Sequence, residues 1–438
     1  MGFETIPETG VQYGLISFDA DGNERSEQSG LMSEALIKKA TTDLVTNVFF
    51  FCHGWQGDFP GARDQYNKWL KTFVNSADRQ KASERFEKFR PLLIGLHWPS
   101  KPWGDEELRG GAFGVPGSAF RPEDLLAIYL DRLGDRPEIR RPLEIIFDEA
   151  RRNAAPDELS PGVCRAYLDL NDALGLKSEG VDAAPDADRQ GFDPQDSFEA
   201  ANEEGTSFGG DFNLGGLLGP LRQLSYWTMK KRARDVGEGG MHNFLKKLQE
   251  ATAAQNTRIH LMGHSFGTIV VSGMVGGPKV QGRLPRALDS VVLVQGAVSL
   301  WCYASAIPFA NAGAGYFNQI LAENKIHGPL VTTRSKFDDA VGVFYPLASR
   351  IKGSASFAGL LPEFGGIGTY GIQGVAEHIG NDLPMKAASD DYSFQKGKVY
   401  NLDGSAYISH REGTGGAHSD IAGPEVAHAI WAAAFASI

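Results

Sequence analysis

The chain has 438 residues, of which 42% are hydrophobic and 10% aromatic, so it can bury a substantial core as one large domain with insertions or as two domains. Its net charge of −11, without a basic stripe, argues against nucleic acid as a partner. The three cysteines fit neither a disulfide framework nor a metal-binding spacing, and no His-Glu-x-x-His pattern occurs, so we expect no metal and no other cofactor.

The first hundred residues alternate between strand and helix signals. "YGLISFDADGNERSE" predicts an N-terminal hairpin with its turn at "DADGN". "SEALIKKATTDL" and "GARDQYNKWLKTFVNSA" have helical spacing, whereas "VTNVFFFC" and "RPLLIGLHWPS" are apolar runs typical of strands buried on both faces. This alternation predicts parallel strands joined by crossover helices.

Residues 101–240 carry helix signals but no convincing strand. "PEDLLAIYLDRL", "RPLEIIFDEARRN" and "GVCRAYLDLNDALGL" place apolar residues at helical intervals. The segment 177–205 has nine acidic residues and two basic ones, and we interpret it as a solvated surface loop. We therefore predict a large, mainly helical cap insertion over 101–240.

Strand and helix signals alternate again over residues 241–438. "RIHLMG", "LDSVVLVQGAV", "GPLVTTRS" and "KVYNLDGSAYIS" predict strands, and "PEVAHAIWAAAFA" predicts a terminal helix. A smaller irregular insertion is expected at 343–397. The predicted fold class is therefore α/β, with a mostly parallel central sheet, flanking helices and the cap insertion.

One short motif carries chemistry. "GHSFG" places Ser265 between Gly263 and Gly267, after the strand "RIHLM" and before the helix "TIVVSGMV". A Gly-x-Ser-x-Gly sequence between strand and helix is the nucleophile elbow, in which a strained turn exposes the serine hydroxyl. The small flanking residues allow the strand and the helix to approach closely, so we predict that Ser265 is a catalytic nucleophile.

Together with "FFFCHGW" about two hundred residues upstream, this motif resembles the α/β-hydrolase superfamily of serine esterases and lipases. The resemblance covers residues 40–100 and 240–438 and leaves out the insertion between them. It implies that 1–100 and 241–438 are the two halves of a hydrolase core.

The resemblance also implies that an acid and then a histidine follow the nucleophile along the chain. "GPLVTTRSKFDDAVG" offers Asp338 and Asp339 after a predicted strand. We prefer Asp338, because similar hydrolases present the acid shortly before a small apolar pair, and keep Asp339 as the alternative. His418, in a Gly-rich loop before the terminal helix, is the preferred base, and His410 is the alternative.

The resemblance implies an oxyanion hole built from two backbone amides. One belongs to Phe266, the residue after the nucleophile, and the other to Trp55, the third residue of a His-Gly-X sequence after an early strand. This second donor could lie one residue away, because the chain lacks the longer glycine run of some esterases. His53 in the same motif is expected to brace the loop rather than to act as a base.

The expected reaction is hydrolysis of a carboxylic ester, with lipid or other apolar esters as the first substrate class. Apolar Gly-rich stretches at 110–120, 208–221 and 355–372 could line an acyl pocket or form lids. Acyl transfer, thioester cleavage or peptide cleavage by the same triad, and a non-catalytic binding protein on this fold, stay open as alternatives.

The expected partner is a small ester or lipid, with transient contact to a lipid interface, no transmembrane segment and no nucleic acid. The start "MGFETIPETG" lacks the pattern of a secretory signal. We therefore expect a cytoplasmic protein, or one exported without an N-terminal signal peptide.

Overall fold

The structure is a computed structural model that describes residues 3–26, 30–55, 59–86, 88–100, 122–153, 156–176, 182–207, 217–309, 313–344, 361–375 and 379–438. Its strands are β1 Glu4–Thr5, β2 Gln12–Ser17, β3 Asn47–Cys52, β4 Pro91–His97, β5 Arg258–His264, β6 Ser290–Val294, β7 Leu330–Arg334, β8 Ile379–Pro384 and β9 Val399–Asp403. Its helices are α1 Met32–Thr42, α2 Phe59–Asn75, α3 Ala77–Arg85, α4 Pro122–Leu133, α5 Pro137–Arg152, α6 Pro161–Ala173, α7 Pro194–Ser207, α8 Gly219–Val236, α9 His242–Ala251, α10 Gly267–Gly276, α11 Asn318–Ala322, α12 Ile367–Tyr370 and α13 Pro424–Phe435.

The strands of the described residues form one nine-stranded sheet in the order β1-β2-β4-β3-β5-β6-β7-β9-β8. Short β1 pairs antiparallel with β2, and every other neighbouring pair is parallel. The predicted α/β class with a mostly parallel sheet and flanking helices is confirmed.

Both faces of the sheet are covered, which explains the continuous apolar runs of its central strands. In β3, Val48 and Phe50 enter one hydrophobic cluster, whereas Phe49 and Phe51 enter the other. The first cluster includes apolar side chains of α1, α5, α6, α8, α9 and α10, and the second includes those of α2 and α13. The sheet therefore lies between two helical layers.

The sheet order brings β3 and β5 side by side although about two hundred residues separate them. The connection from β3 leads to β4 on one side, and the chain beyond β5 continues to β6 on the other. Where crossovers leave neighbouring parallel strands in opposite directions, a crevice opens at the carboxyl ends of those strands. This position is where α/β proteins most often bind their ligands.

The described part of the acidic segment, residues 182–205, is not simply the solvated loop that its charge indicates. Residues 183–189 are buried, and 194–207 form helix α7. The Asp186 carboxylate pairs with the Arg234 guanidinium of α8, which lies 48 positions later in the chain. The interpretation as a loop is wrong here because the compensating cation is distant in sequence.

Other helices of the predicted cap insertion are present in the described residues: α4, α5 and α6 follow the expected spans. Helix α8, which packs on α10, has no counterpart among the predicted helices. Strand β8 is a further correction, since it lies inside the segment 343–397 that was expected to be irregular. The Gly-rich segments 110–120, 208–216 and 355–360 lie outside the described residues. No described helix combines the length and the apolar character needed to cross a bilayer.

Candidate active site

The predicted nucleophile lies at the carboxyl end of β5, beside the crevice between β3 and β5. Ser265 has a φ of 55°, in the left-handed region that non-glycine residues rarely adopt, and its side chain is buried. Its amide donates to Val294 O at 3.1 Å, and its carbonyl accepts from the Thr268 amide at 3.1 Å. These bonds to β6 and to α10 hold the strained turn in place.

The two glycines of the motif are required by close backbone contacts. A Cβ atom at Gly263 would lie 2.5 Å from the carbonyl oxygen of Gly267. A Cβ atom at Gly267 would overlap the carbonyl oxygen of Cys52 and lie 2.6 Å from that of His53. The close approach that the sequence pattern predicts therefore exists at both positions, and it joins the elbow to the end of β3.

The structure brings His418 and Asp338 together across 80 positions of the chain. The imidazole Nδ1 lies 3.0 Å from Asp338 Oδ1 and 2.9 Å from Oδ2. The carboxylate also accepts from Gln295 Nε2 at 2.8 Å and from the Val341 amide at 2.9 Å. Because Nδ1 donates to the carboxylate, the second ring nitrogen, Nε2, is left as an acceptor.

The alternative acid and base are not brought together. Asp339 lies 3.5 Å from the Arg411 guanidinium and is partly exposed. His410 is exposed, and its backbone amide donates to Asp420 Oδ2 at 2.8 Å.

The His418 ring lies near the turn that carries Ser265, and it contacts His264, the residue before the serine. The rings of His264 and His418 lie 4.8 Å apart, and His264 Nε2 lies 2.9 Å from the carbonyl oxygen of His418. Within the described residues, the Ser265 hydroxyl makes no hydrogen bond to the His418 ring.

The loop after β3 lies directly against the serine. A Cβ atom at Gly54 would overlap Ser265 Cβ and lie 3.0 Å from its Oγ. Neither the Trp55 amide nor the Phe266 amide donates a hydrogen bond to another described residue.

His53 is held as a buried, neutral ring. Burial lowers its pKa to about 4. Its Nδ1 lies 2.8 Å from Gly54 O, its Nε2 accepts from the Trp98 amide at 3.4 Å, and the Trp98 ring stacks on it. These contacts fit the bracing role expected for this residue.

Aromatic side chains cluster around Phe266, the residue after Ser265. The ring centroids of Trp55, Phe266 and Tyr226 lie 5.1 to 5.7 Å from one another. Tyr226 belongs to α8, so the segment between the two halves of the sheet contributes to this cluster.

Gln295 and His264 are contact residues that sequence reasoning missed. Gln295 has a φ of 46° and is fully buried, and Thr333 Oγ1 donates to its side-chain oxygen at 2.9 Å. The signal that could have found it is the sequence "VQG" at the end of β6, where a buried amide side chain follows an apolar strand. His264 offered a similar signal as the second residue of the elbow motif.

No family model, curated protein or solved structure matches the chain. Within the described residues, no group of three or more His, Cys, Asp or Glu side chains is arranged to hold a metal ion.

Proposed function

We propose that the protein is a serine hydrolase with an α/β-hydrolase fold, and that it cleaves carboxylic esters through an acyl-serine intermediate. The observation that carries this proposal is the hydrogen-bonded pair of Asp338 and His418 beside a serine on a strained strand-to-helix turn. The order serine, acid, histidine along the chain is the order that this fold uses.

The position of the three residues in the sheet supports the same fold. Ser265 follows β5, Asp338 follows β7, and His418 follows β9, so all three come after the carboxyl ends of parallel strands. The elbow lies at the carboxyl end of β5 beside β3, where the connection from β3 to β4 and the connection from β5 to β6 run to opposite sides. This is the usual ligand position in α/β sheets.

In the proposed mechanism, His418 Nε2 accepts the proton of the Ser265 hydroxyl while Oγ attacks the ester carbonyl carbon. Asp338 holds the Nδ1 proton and stabilises the imidazolium that forms. The amides of Trp55 and Phe266 donate to the negative oxygen of the tetrahedral intermediate, and two such donors are typically worth about 3 kcal/mol each.

The imidazolium then gives its proton to the leaving alcohol, and an acyl-serine remains. A water molecule, deprotonated by the same nitrogen, attacks the acyl carbonyl, and the acid product leaves with the serine hydroxyl restored.

The substrate class is argued from the aromatic cluster of Trp55, Phe266 and Tyr226, which adjoins the nucleophile through Phe266. Phe266 and Tyr226 are buried, and sites lined mainly by aromatic and apolar side chains bind apolar groups. Apolar acyl esters are therefore our first proposed substrates, and a chain-length series of p-nitrophenyl esters, run with and without micelles, tests them. Equal rates across the series would reject the preference for apolar acyl groups, while the proposed esterase activity would still stand.

The decisive experiment is labelling with a fluorophosphonate, which reacts with activated serines. The wild type should be labelled at Ser265, and Ser265→Ala should not be labelled. Ser272→Ala is the matched control, because Ser272 is a buried serine on α10 that hydrogen-bonds Thr268 O and the Tyr303 hydroxyl. If the folded wild type stays unlabelled, the proposed enzymatic function is rejected, and a non-catalytic binding protein becomes the favoured alternative. Assays with an added amine acceptor, with thioesters and with peptides then distinguish ester hydrolysis from acyl transfer, thioester cleavage and peptide cleavage.

A further inference from the structure

We propose that His264, the residue before the nucleophile, is a positioning residue that holds the His418 loop against Ser265 through the carbonyl of His418. This inference rests on the proposed hydrolase function and names how the base is aligned with the nucleophile.

The contact that carries the proposal is direct. His264 ends β5, and its Nε2 lies 2.9 Å from the carbonyl oxygen of His418, 154 positions away. A carbonyl oxygen can only accept, so Nε2 must carry a proton and donate. The edge of the Trp69 ring packs on His264 at 5.5 Å, which fixes the orientation of the imidazole.

The surroundings of His264 keep this donor in place. Burial lowers its pKa well below the ordinary value, so the ring is neutral and carries one proton only. Its Nδ1 is buried and has no hydrogen-bond partner among the described residues. The bond to His418 O is therefore the one hydrogen bond that this imidazole makes within the described part of the chain.

The loop that carries His418 needs such a contact. Gly413 and Gly416 have φ values of 59° and 62°, and a glycine-rich loop loses much conformational freedom when it is ordered. The Ala417 amide donates to Phe337 O at 2.7 Å, and Gly416 forms a bridge with Asp338. These contacts join the loop to the segment that carries Asp338, and the bond from His264 joins the same loop to the strand that leads to Ser265.

The main test compares two substitutions of His264. His264→Phe keeps a ring of similar shape and removes the donor, and we expect the fluorophosphonate labelling rate and kcat to fall about 10- to 100-fold, because a displacement of about 1 Å costs that much. KM should change little. His264→Gln keeps an N–H donor and should restore most of the rate.

His260→Phe is the matched control. His260 lies on the same strand and is also buried, and its pKa is likewise lowered to about 4, but it contacts Ser290 Oγ and Asn47 Nδ2 away from the site. It should retain the wild-type labelling rate even where its melting temperature falls. If His264→Phe does not fold, His264→Met replaces it as the variant without a donor.

The outcomes separate this inference from the proposed function. A wild type without labelling rejects the function itself. A labelled wild type with an unchanged rate in folded His264→Phe, or with equal losses in the Phe and Gln variants, rejects the inference alone. Nitrogen-15 NMR of ring-labelled wild type gives an independent reading, because the inference requires His264 protonated on Nε2, and a proton on Nδ1 would overturn it.

Discussion

Asp338 and Asp339 are neighbours in the sequence, but their side chains have different surroundings. Asp338 is buried and bonded to His418, Gln295 and the Val341 amide, whereas Asp339 is partly exposed near Arg411. We expect Asp338→Asn to lower kcat about 1,000- to 10,000-fold, because an amide favours the wrong imidazole tautomer. Asp339→Asn should stay within about threefold of the wild type, as an exposed ion pair contributes little. Ester hydrolysis rates measure both, and the reverse ranking would move the acid to Asp339.

Gly54 allows a second prediction at the scale of one residue. A methyl group there would overlap Ser265 Cβ and crowd Oγ, so Gly54→Ala should lower the labelling rate about 100-fold through displacement of the nucleophile. Gly162→Ala is the control, because a Cβ atom at that helical position meets nothing within 4 Å. Equal labelling rates of the two variants would argue against the close approach of the loop after β3 to the serine.

At the scale of elements, α8 links the segment before β5 to the loop after β3. Tyr226 packs its ring against Trp55 and Phe266, the two residues whose amides we propose as donors. Tyr226→Ala should lower kcat on the order of 10-fold by loosening these donors, less than the loss of a whole donor. Tyr226→Phe keeps the ring and should remain near the wild type. Steady-state rates with one ester decide this, and no change in the alanine variant would limit α8 to a packing role.

The elements also show what a single sequence can predict. Strands β3, β4 and β6 are mostly apolar runs because both faces of the sheet are covered, and the sequence predicts them and β5 within a few residues. Strand β8 was missed because "IGNDLP" contains residues that strands disfavour, and it lies at the edge of the sheet. Helix α8 was missed because it buries Lys230 among tryptophan and tyrosine rings, which hides its apolar face.

Around the candidate site, the sequence predicts the local geometry that a short motif fixes but not contacts between distant residues. The motif "GHSFG" is local, so the strained turn at Ser265 and the close contacts at Gly263 and Gly267 could be predicted from five adjacent letters. Gln295 bonds Asp338 across 43 positions, and His264 bonds His418 across 154. No periodicity or spacing in the sequence signals such pairs.

At the scale of the whole molecule, buried neutral histidines make stability depend on pH. Burial lowers the pKa of both His53 and His260 from 6.5 to about 4. As pH falls from about 6.5 to 4, these histidines bind protons in the unfolded chain but stay unprotonated in the folded chain. The free energy of unfolding therefore falls. Each group accounts for about 3 kcal/mol over this range, at 1.36 kcal/mol per pKa unit.

Substitution of His260 tests this dependence. In His260→Phe, the free energy of unfolding should fall less steeply between about pH 6.5 and 4. The variant should take up about one proton fewer on unfolding, and urea denaturation at several pH values measures this difference in slope. His410→Phe is the control, because His410 is exposed. Parallel pH curves for wild type and His260→Phe would contradict the predicted uptake of a proton on unfolding.

The bridge between Asp338 and Gly416, together with the bond from the Ala417 amide to Phe337 O, has a consequence for how the Asp338 carboxylate and the His418 ring keep their spacing. The two loops are joined through their main chains, so their spacing does not depend on the side chains that they carry. Replacement of either functional group therefore leaves the frame that presents the other. Asp338 and His418 can therefore be regarded as one preassembled unit, which the rest of the protein has only to position against the Ser265 hydroxyl.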